Sequence, residues 1–469
     1  MIMLTHQRAN LIISAGGVGV ALFAGYLAGV QPLYVGLVLG GLAIAFYFFT
    51  SFESAVLGLL ILRSALDPFS LQQVPAAFAI GLDVLTLIYV VATLLTNGTV
   101  QTDGFWWLFA GWVVLQGLWV LLLLWGDMSL NTAVWLDSIR EWVRLFSWLM
   151  VYLLVMQLKD RIHPQKMISA LFLALILPLT AALLQILLPL SLLPDFLQGN
   201  KNSITGEISR INGTLGLSNT FATFLLLFIG LTYWQMNQSQ RRWPWWLLLA
   251  LLAFFYVSTK ALFSLMMLGV FILVLIAPKL SLINLMAGVL FFVVVIALFG
   301  STEFGQQRLG SLSQTPLLNP DIDISRAILL SQGDGNSFNW RLAQWSLLLK
   351  AWEDSPILGY GLATSRYLTI YNNYAHNDYV RALAEGGILG FLVFIAFLGT
   401  QLIHLMELLR RSPANSPQHQ LCWVLLALLV AIMVGMTTEN ILTHTTLFFY
   451  WWTVVAIAGW NWNQPQSYG

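Results

Sequence analysis

Charge and cysteine are scarce in this chain. Of 469 residues only 9% are charged, and one, Cys422, is a cysteine. A soluble domain carries roughly a quarter charged residues, so a water-solvated globule is excluded. A lone cysteine rules out both an intrachain disulfide and a cysteine-built metal cluster. Basic and acidic residues nearly cancel, at a net charge of +1, which leaves no electrostatic basis for a nucleic-acid partner. There is no histidine pair at helical spacing and no run of carboxylates, and the best acidic pair, Asp321 and Asp323, stands in an isolated loop. No metal site is expected from that inventory. No glycine-rich phosphate loop follows a strand, so no nucleotide cofactor is expected either. Internal repeats, low-complexity tracts and the alternating segments of an outer-membrane barrel are missing too.

What the chain has in abundance is apolar length. Hydrophobic residues make up 58% of it, gathered into about a dozen or more runs near the ~20-residue length that crosses a bilayer. In lipid only helices satisfy the backbone of such runs, so the expected fold class is an all-α polytopic membrane protein with about 12–14 transmembrane helices. The runs fall at about 9–30, 32–50, 53–66, 78–96, 105–125, 136–157, 166–190, 214–235, 243–258, 261–278, 281–299, 384–407, 420–437 and 446–462, the third being short and holding Arg63. They divide the chain into N-terminal spans (1–190), central spans behind an arginine-bearing loop (191–299), a long polar loop (300–383) and C-terminal spans (384–469). The opening MIMLTHQRAN meets the first run without a small-residue cleavage site and reads as a retained span. Many of the 20 tryptophans stand at run ends, as interfacial anchors do.

Cytoplasmic turns collect Lys and Arg, which orients the chain. With the N-terminus inside, Arg8, Lys159, Arg161, Lys166, Arg241, Arg242, Lys279, Arg410 and Arg411 all fall on the cytoplasmic side, as do both termini. The loops 191–212 and 300–383 then lie outside, and the second is long enough to be functional and partly helical.

Basic residues that this topology places outside are Arg210, Lys260, Arg308, Arg326, Arg341, Lys350, Arg366 and Arg381, with Arg140 and Arg144 at the outer end of their helix. Some have local partners. Asp378, Arg381 and Glu385 share one helix face, and Asp137, Arg140, Glu141 and Arg144 form a similar ladder, so both groups read as self-paired helix ends. Arg210 precedes an apolar run, with Glu207 upstream as an available partner. Lys260 stands at a tight turn, where a desolvated ammonium needs an anion. Arg341 opens an amphipathic surface helix that ends at Ser355-Pro356. Snorkelling to lipid headgroups is one account of these three cations. The other is an anionic ligand at the membrane surface, and a diphosphate suits it: guanidinium forks hold phosphate oxygens in pairs while a lysine supplies a point charge.

His376 precedes the helix that re-enters the membrane, and Glu385 lies off its face in a straight helix. The histidine reads either as a loop hydrogen-bonder or as a group placed to take a proton near neutral pH. His444 is the other outer histidine, and its neighbour Glu439, near another helix end, is a candidate wall of the same cleft.

Three stretches together carry a resemblance: HNDYVRALAEGGILG from His376, the SPILGYG that closes the surface helix, and GTLGLSNTFA behind Arg210. From about Arg210 to Ile457 their order resembles the O-antigen ligase and O-antigen polymerase superfamily of bacterial envelope biogenesis. The resemblance implies a class C glycosyltransferase-like enzyme of the bacterial inner membrane that works at the periplasmic face. Its donor would be a glycan on undecaprenyl diphosphate. Its acceptor would be a second lipid-linked glycan for a polymerase, the expectation here, or lipid A core or a protein for a ligase. Inversion at the sugar, without metal or nucleotide cofactor, is implied as well. By motif position Arg210 and Arg341 match the family's diphosphate-binding arginines and His376 its catalytic histidine. Lys260 stands in Ser258-Thr259-Lys260-Ala261 where many relatives have Ser-Arg-Gly, so the charge is kept and the fork is lost. Asn219, Arg366, Asn377, Asp378, Tyr379 and Glu385 are the supporting candidates. A transporter, for bicarbonate or lipid-linked oligosaccharide, is the alternative of another class. It would place ionisable groups at the midplane, whereas the charges here gather at run ends.

Overall fold

The computed structural model describes residues 32–124, 132–198, 200–201, 208–283, 285–286, 289, 319, 321–332 and 337–462. The apolar run at 9–30 and most of the run at 281–299 lie outside the described residues, as do Glu207 and Arg308. In chain order the described helices are α1 (Pro32–Thr50), α2 (Phe52–Leu62), α3 (Val74–Leu95), α4 (Gly104–Leu121), α5 (Thr132–Met156), α6 (Pro164–Leu171), α7 (Ile176–Leu187), α8 (Ser218–Gln238), α9 (Trp243–Ser258), α10 (Leu262–Ile276), α11 (Ile324–Gln332), α12 (Ser337–Asp354), α13 (Asp378–Arg411), α14 (Pro417–Gly435) and α15 (Thr445–Ala458). The one sheet among the described residues is a two-stranded antiparallel pairing of β1 (Asn200–Lys201) with β2 (Ile208–Arg210). This is an all-α polytopic membrane protein.

Five helical stretches among the described residues are long and apolar enough to cross a bilayer: α3, α4, the α6–α7 pair, α13 and α14. α9, α10, α15 and the stretch Gly40–Thr50 are apolar but shorter. The helices α8, α14 and α15, with the second half of α5, form the centre. Trp234, Trp451, Trp452, Tyr152, Tyr450 and Phe224 are fully buried there. α3, α4, α9, α10 and the second half of α13 surround them and turn large apolar side chains such as Leu247, Val114 and Leu392 outward, as lipid requires. The run expected at 384–407 begins earlier, at Asp378, because Asn377 caps the helix by accepting from the backbone N–H of Tyr379 and Val380.

Charge does not keep wholly to the run ends. Asp83 sits within α3, buried, and accepts at 2.5 Å from Ser147 on α5. A carboxyl within a span is tolerated where a hydroxyl from the adjacent helix answers it, and the bond ties α3 to α5.

α13 is broken. Gly387 has φ 61° and ψ −164°, a backbone that only glycine adopts readily. The segment Pro356–Gly361 fills the gap: Tyr360 and Gly361 donate to the carbonyls of Ala384 and Glu385, while Ile388 and Leu389 donate to those of Pro356 and Ile357. Four backbone groups beside the break, the carbonyls of Ala384 and Glu385 and the N–H groups of Ile388 and Leu389, thereby find partners, as a low-dielectric setting demands. A Cβ on Gly387 would overlap the Ile357 carbonyl. The two glycine motifs, GYG and EGG, are therefore the two sides of one crossing.

Candidate active site

One end of the bundle gathers the functional candidates. It is formed by the start of α8, the α9–α10 turn, the start of α13, the end of α14 and the loop before α15. The turns holding Lys159, Arg161, Arg241, Arg242, Lys279, Arg410 and Arg411 join the opposite ends of these and neighbouring helices.

At the centre of the site stands Glu439, buried in the loop after α14. His376 Nδ1 lies 2.7 Å from Glu439 Oε1. Arg341, at the start of α12, forms an ion pair with Oε2 at 3.5 Å. Asn219 of α8 donates its amide to the same Oε2 and accepts at 2.6 Å from Arg210 Nη2. Arg210 Nε donates at 2.9 Å to the carbonyl of Thr259, the residue before Lys260. Lys260 itself is exposed, with its backbone in the left-handed region at φ 51°. Three of the four residues expected in the anion and proton roles, Arg210, Arg341 and His376, thus meet around one network with Asn219 as the bridge, and Lys260 adjoins it only as the chain neighbour of Thr259. Arg341 Nε is buried and has no partner among the described residues.

Local structure explains these positions. Gln185 of α7 grips the backbone of Asn212 and Gly213 and holds the loop that follows β2, which places Arg210. A Cβ on Gly213, φ 55°, would press on the Pro178 carbonyl. α12 carries Arg341 and also pins the loop before His376. Gln344 donates to Asn373 O and accepts from Thr369, and Trp345 donates at 2.6 Å to Ala375 O. His376 has φ 50°, and non-glycine residues in that region cluster at functional sites. Trp340 packs edge-on to the imidazole with ring centres 5.4 Å apart.

Burial works to raise the Glu439 carboxyl, but the hydrogen bond from His376 and the neighbouring Arg341 outweigh it and hold it at about 2. Glu439 is therefore a carboxylate, which only accepts, so His376 Nδ1 carries the proton and donates. Among the described residues nothing hydrogen-bonds Nε2, and the side chain is 24% exposed. Burial also pulls the Arg341 guanidinium below its usual range, with Glu439 opposing. His444, fully buried, pairs with Thr223 at 2.9 Å, and burial pushes it down to about 4 against the pull of Glu439.

The other candidates serve the frame around this network. Asn377 caps α13, Tyr379 donates to Met433 O, and Asp378 accepts from Leu442 N while its own N–H donates to Met436 O. Together they clamp α13 to the loop that bears Glu439. Glu385 accepts from Ala363 N, from Ser365 and from Arg381 Nε at 3.0 Å. Arg381 also reaches Glu141 at 3.1 Å, and Arg366 pairs with Asp137 at 2.9 Å. The two ladders expected to be separate are therefore joined through Arg381, and Asp378 makes no ion pair in them among the described residues. A cavity of about 50 Å³, with room for a few waters, lies beside this cluster. Arg381, Asp378 and Glu385 line it, and it does not extend to His376 or Arg341. At the Glu439 network, unlike this cavity, a partly exposed imidazole stands beside arginine side chains. The firm identification of Glu439 as the hub needed the fold, since its partners are far along the chain.

Residues 246–395 match the family model described as O-Antigen ligase. No curated protein matches the chain. The matched stretch holds Lys260, Arg341 and His376 and stops short of Glu439.

Proposed function

We propose that this membrane protein, which carries the domain of the O-antigen ligase and polymerase superfamily at residues 246–395, is a glycosyltransferase that polymerises a glycan carried on undecaprenyl diphosphate. The observation that carries the reading is the meeting of Arg210, Asn219, Arg341 and His376 around Glu439 at one end of the bundle. The short basic turns at the other end support a cytoplasmic assignment for that end, so the site faces the periplasm.

In this mechanism the acceptor hydroxyl attacks the anomeric carbon from the face opposite the diphosphate. Its proton passes to His376 Nε2, the carbon–oxygen bond to the diphosphate breaks, and the bonding pair leaves with the diphosphate, which inverts the sugar. Arg341 and Arg210, with Lys260 at the rim, stabilise the charge that grows on the leaving group. Arginine forks take the place a divalent cation would otherwise fill.

The test is turnover by purified protein in nanodiscs on a lipid-diphosphate-linked repeat unit, with and without chelator. A ladder of products that persists in chelator is expected. His376→Ala should lose about 10²–10⁴-fold in rate. Arg341→Ala should lose more than Arg341→Lys, because lysine restores charge without the fork. Full activity in His376→Ala would end the base assignment. Single additions to lipid A core or to a protein, with no ladder, would make the enzyme a ligase.

A further inference from the structure

The family match ends before Glu439, yet the site is organised around that side chain. We infer that Glu439 is the positioning carboxylate of the site: it fixes His376 in the Nδ1–H tautomer, leaving Nε2 to accept the acceptor's proton, and it offsets Arg341 so that the diphosphate is held loosely enough to leave.

Four contacts meet on this one group. Oε1 takes His376 Nδ1 at 2.7 Å and also the backbone N–H of Asn440 at 3.1 Å. Oε2 takes Asn219 and faces Arg341 at 3.5 Å. The residue is 3% exposed, so water does not compete for these oxygens. A histidine that acts through one nitrogen is oriented by the hydrogen bond made at the other. The loop geometry agrees: Asp378 anchors Met436 and Leu442 on either side of Glu439, while Trp345 holds Ala375 next to His376. Both partners of the pair are therefore clamped to rigid helices. A carboxylate beside Arg341 also lowers the net attraction of the site for any anion, which opposes tight retention of the diphosphate product.

This assignment rests on the transferase reading for its rate effect but not for its two direct readouts. The first is inorganic pyrophosphate binding to the full chain in nanodiscs. Glu439→Gln, which keeps the shape and loses the charge, should bind pyrophosphate several-fold more tightly, about 3- to 10-fold. Glu439→Asp, which keeps the charge, should bind it as the wild type does. The second is the nitrogen spectrum of labelled histidine, assigned by loss of one signal in His376→Gln. The wild type should show His376 protonated at Nδ1, and Glu439→Leu should shift it toward the Nε2–H form. If turnover is present, Glu439→Gln should lower kcat by about 10²-fold or more while the donor KM falls. A purely structural carboxylate would weaken binding and turnover together. Unchanged or weaker pyrophosphate binding in Glu439→Gln, or an Nε2–H tautomer in the wild type, overturns the assignment. Absence of any transfer by the wild type overturns only the transferase reading, because the binding and tautomer readouts still decide the role of Glu439.

Discussion

At the scale of single residues, the burial of His444 makes stability depend on acidity. Its folded value of about 4 lies below the ordinary 6.5. Between those values the unfolded chain binds a proton that the folded chain does not, so stability is full above about pH 6.5 and declines as pH falls toward 4. Glu439, lowered from 4.5 to about 2, acts in a lower window: its contribution is present above about pH 4.5 and is lost toward 2. Other buried groups titrate between pH 7 and pH 5, so the change in melting temperature over that interval is compared between the wild type and His444→Gln. The variant should lose less, or gain more, on acidification than the wild type does. Equal changes would show that the histidine does not titrate in the window.

Among elements, the broken α13 and its crossing segment decide how accurately the site is held. Gly387→Ala places a methyl group against the Ile357 carbonyl in a backbone region that alanine avoids, at a cost on the order of 1–3 kcal/mol or more. Asn377→Ala removes only a cap, at about 1 kcal/mol. Unfolding of both variants should rank them in that order, and Gly387→Ala should also slow turnover by displacing the start of α13. Sequence periodicity alone did not reveal this break, because the apolar pattern runs through it and EGG reads as a tolerated part of a helix. A helix in the second half of the long loop was readable from its apolar spacing, and a helix is found at Ser337–Asp354. Its grip on Thr369, Asn373 and Ala375 was not, since those contacts join separate stretches of chain.

For the whole molecule, composition and run length were enough to expect a helical membrane protein, because lipid leaves the backbone so few alternatives. Arg210, Arg341 and His376 stood out for a related reason: polar groups at a membrane boundary need partners, and their own neighbourhoods did not clearly supply them. Glu439, which pairs with His376 and Arg341 directly and with Arg210 through Asn219, lies 63 residues from His376 and 220 from Asn219, distances over which one sequence keeps no trace of contact. Asp83 escaped notice likewise, hidden in an apolar run with its partner 64 residues on. The orientation is open to direct measurement. Cys422 is the sole cysteine and is buried, so a Cys422→Ser background accepts single reporters. In right-side-out vesicles an impermeant maleimide should label Lys260→Cys and spare Lys159→Cys. The reverse pattern would turn the site toward the cytoplasm and defeat the proposed donor.

The crossing of Pro356–Gly361 with α13 also bears on engineering. Because the peptide that follows α12 is stitched into the broken helix, residues 337–390 do not form a cassette with free edges. A chimera meant to exchange acceptor preference between relatives should take both glycine motifs from a single parent. Splice points between Gly361 and Gly387 would ask two backbones of different ancestry to share one seam.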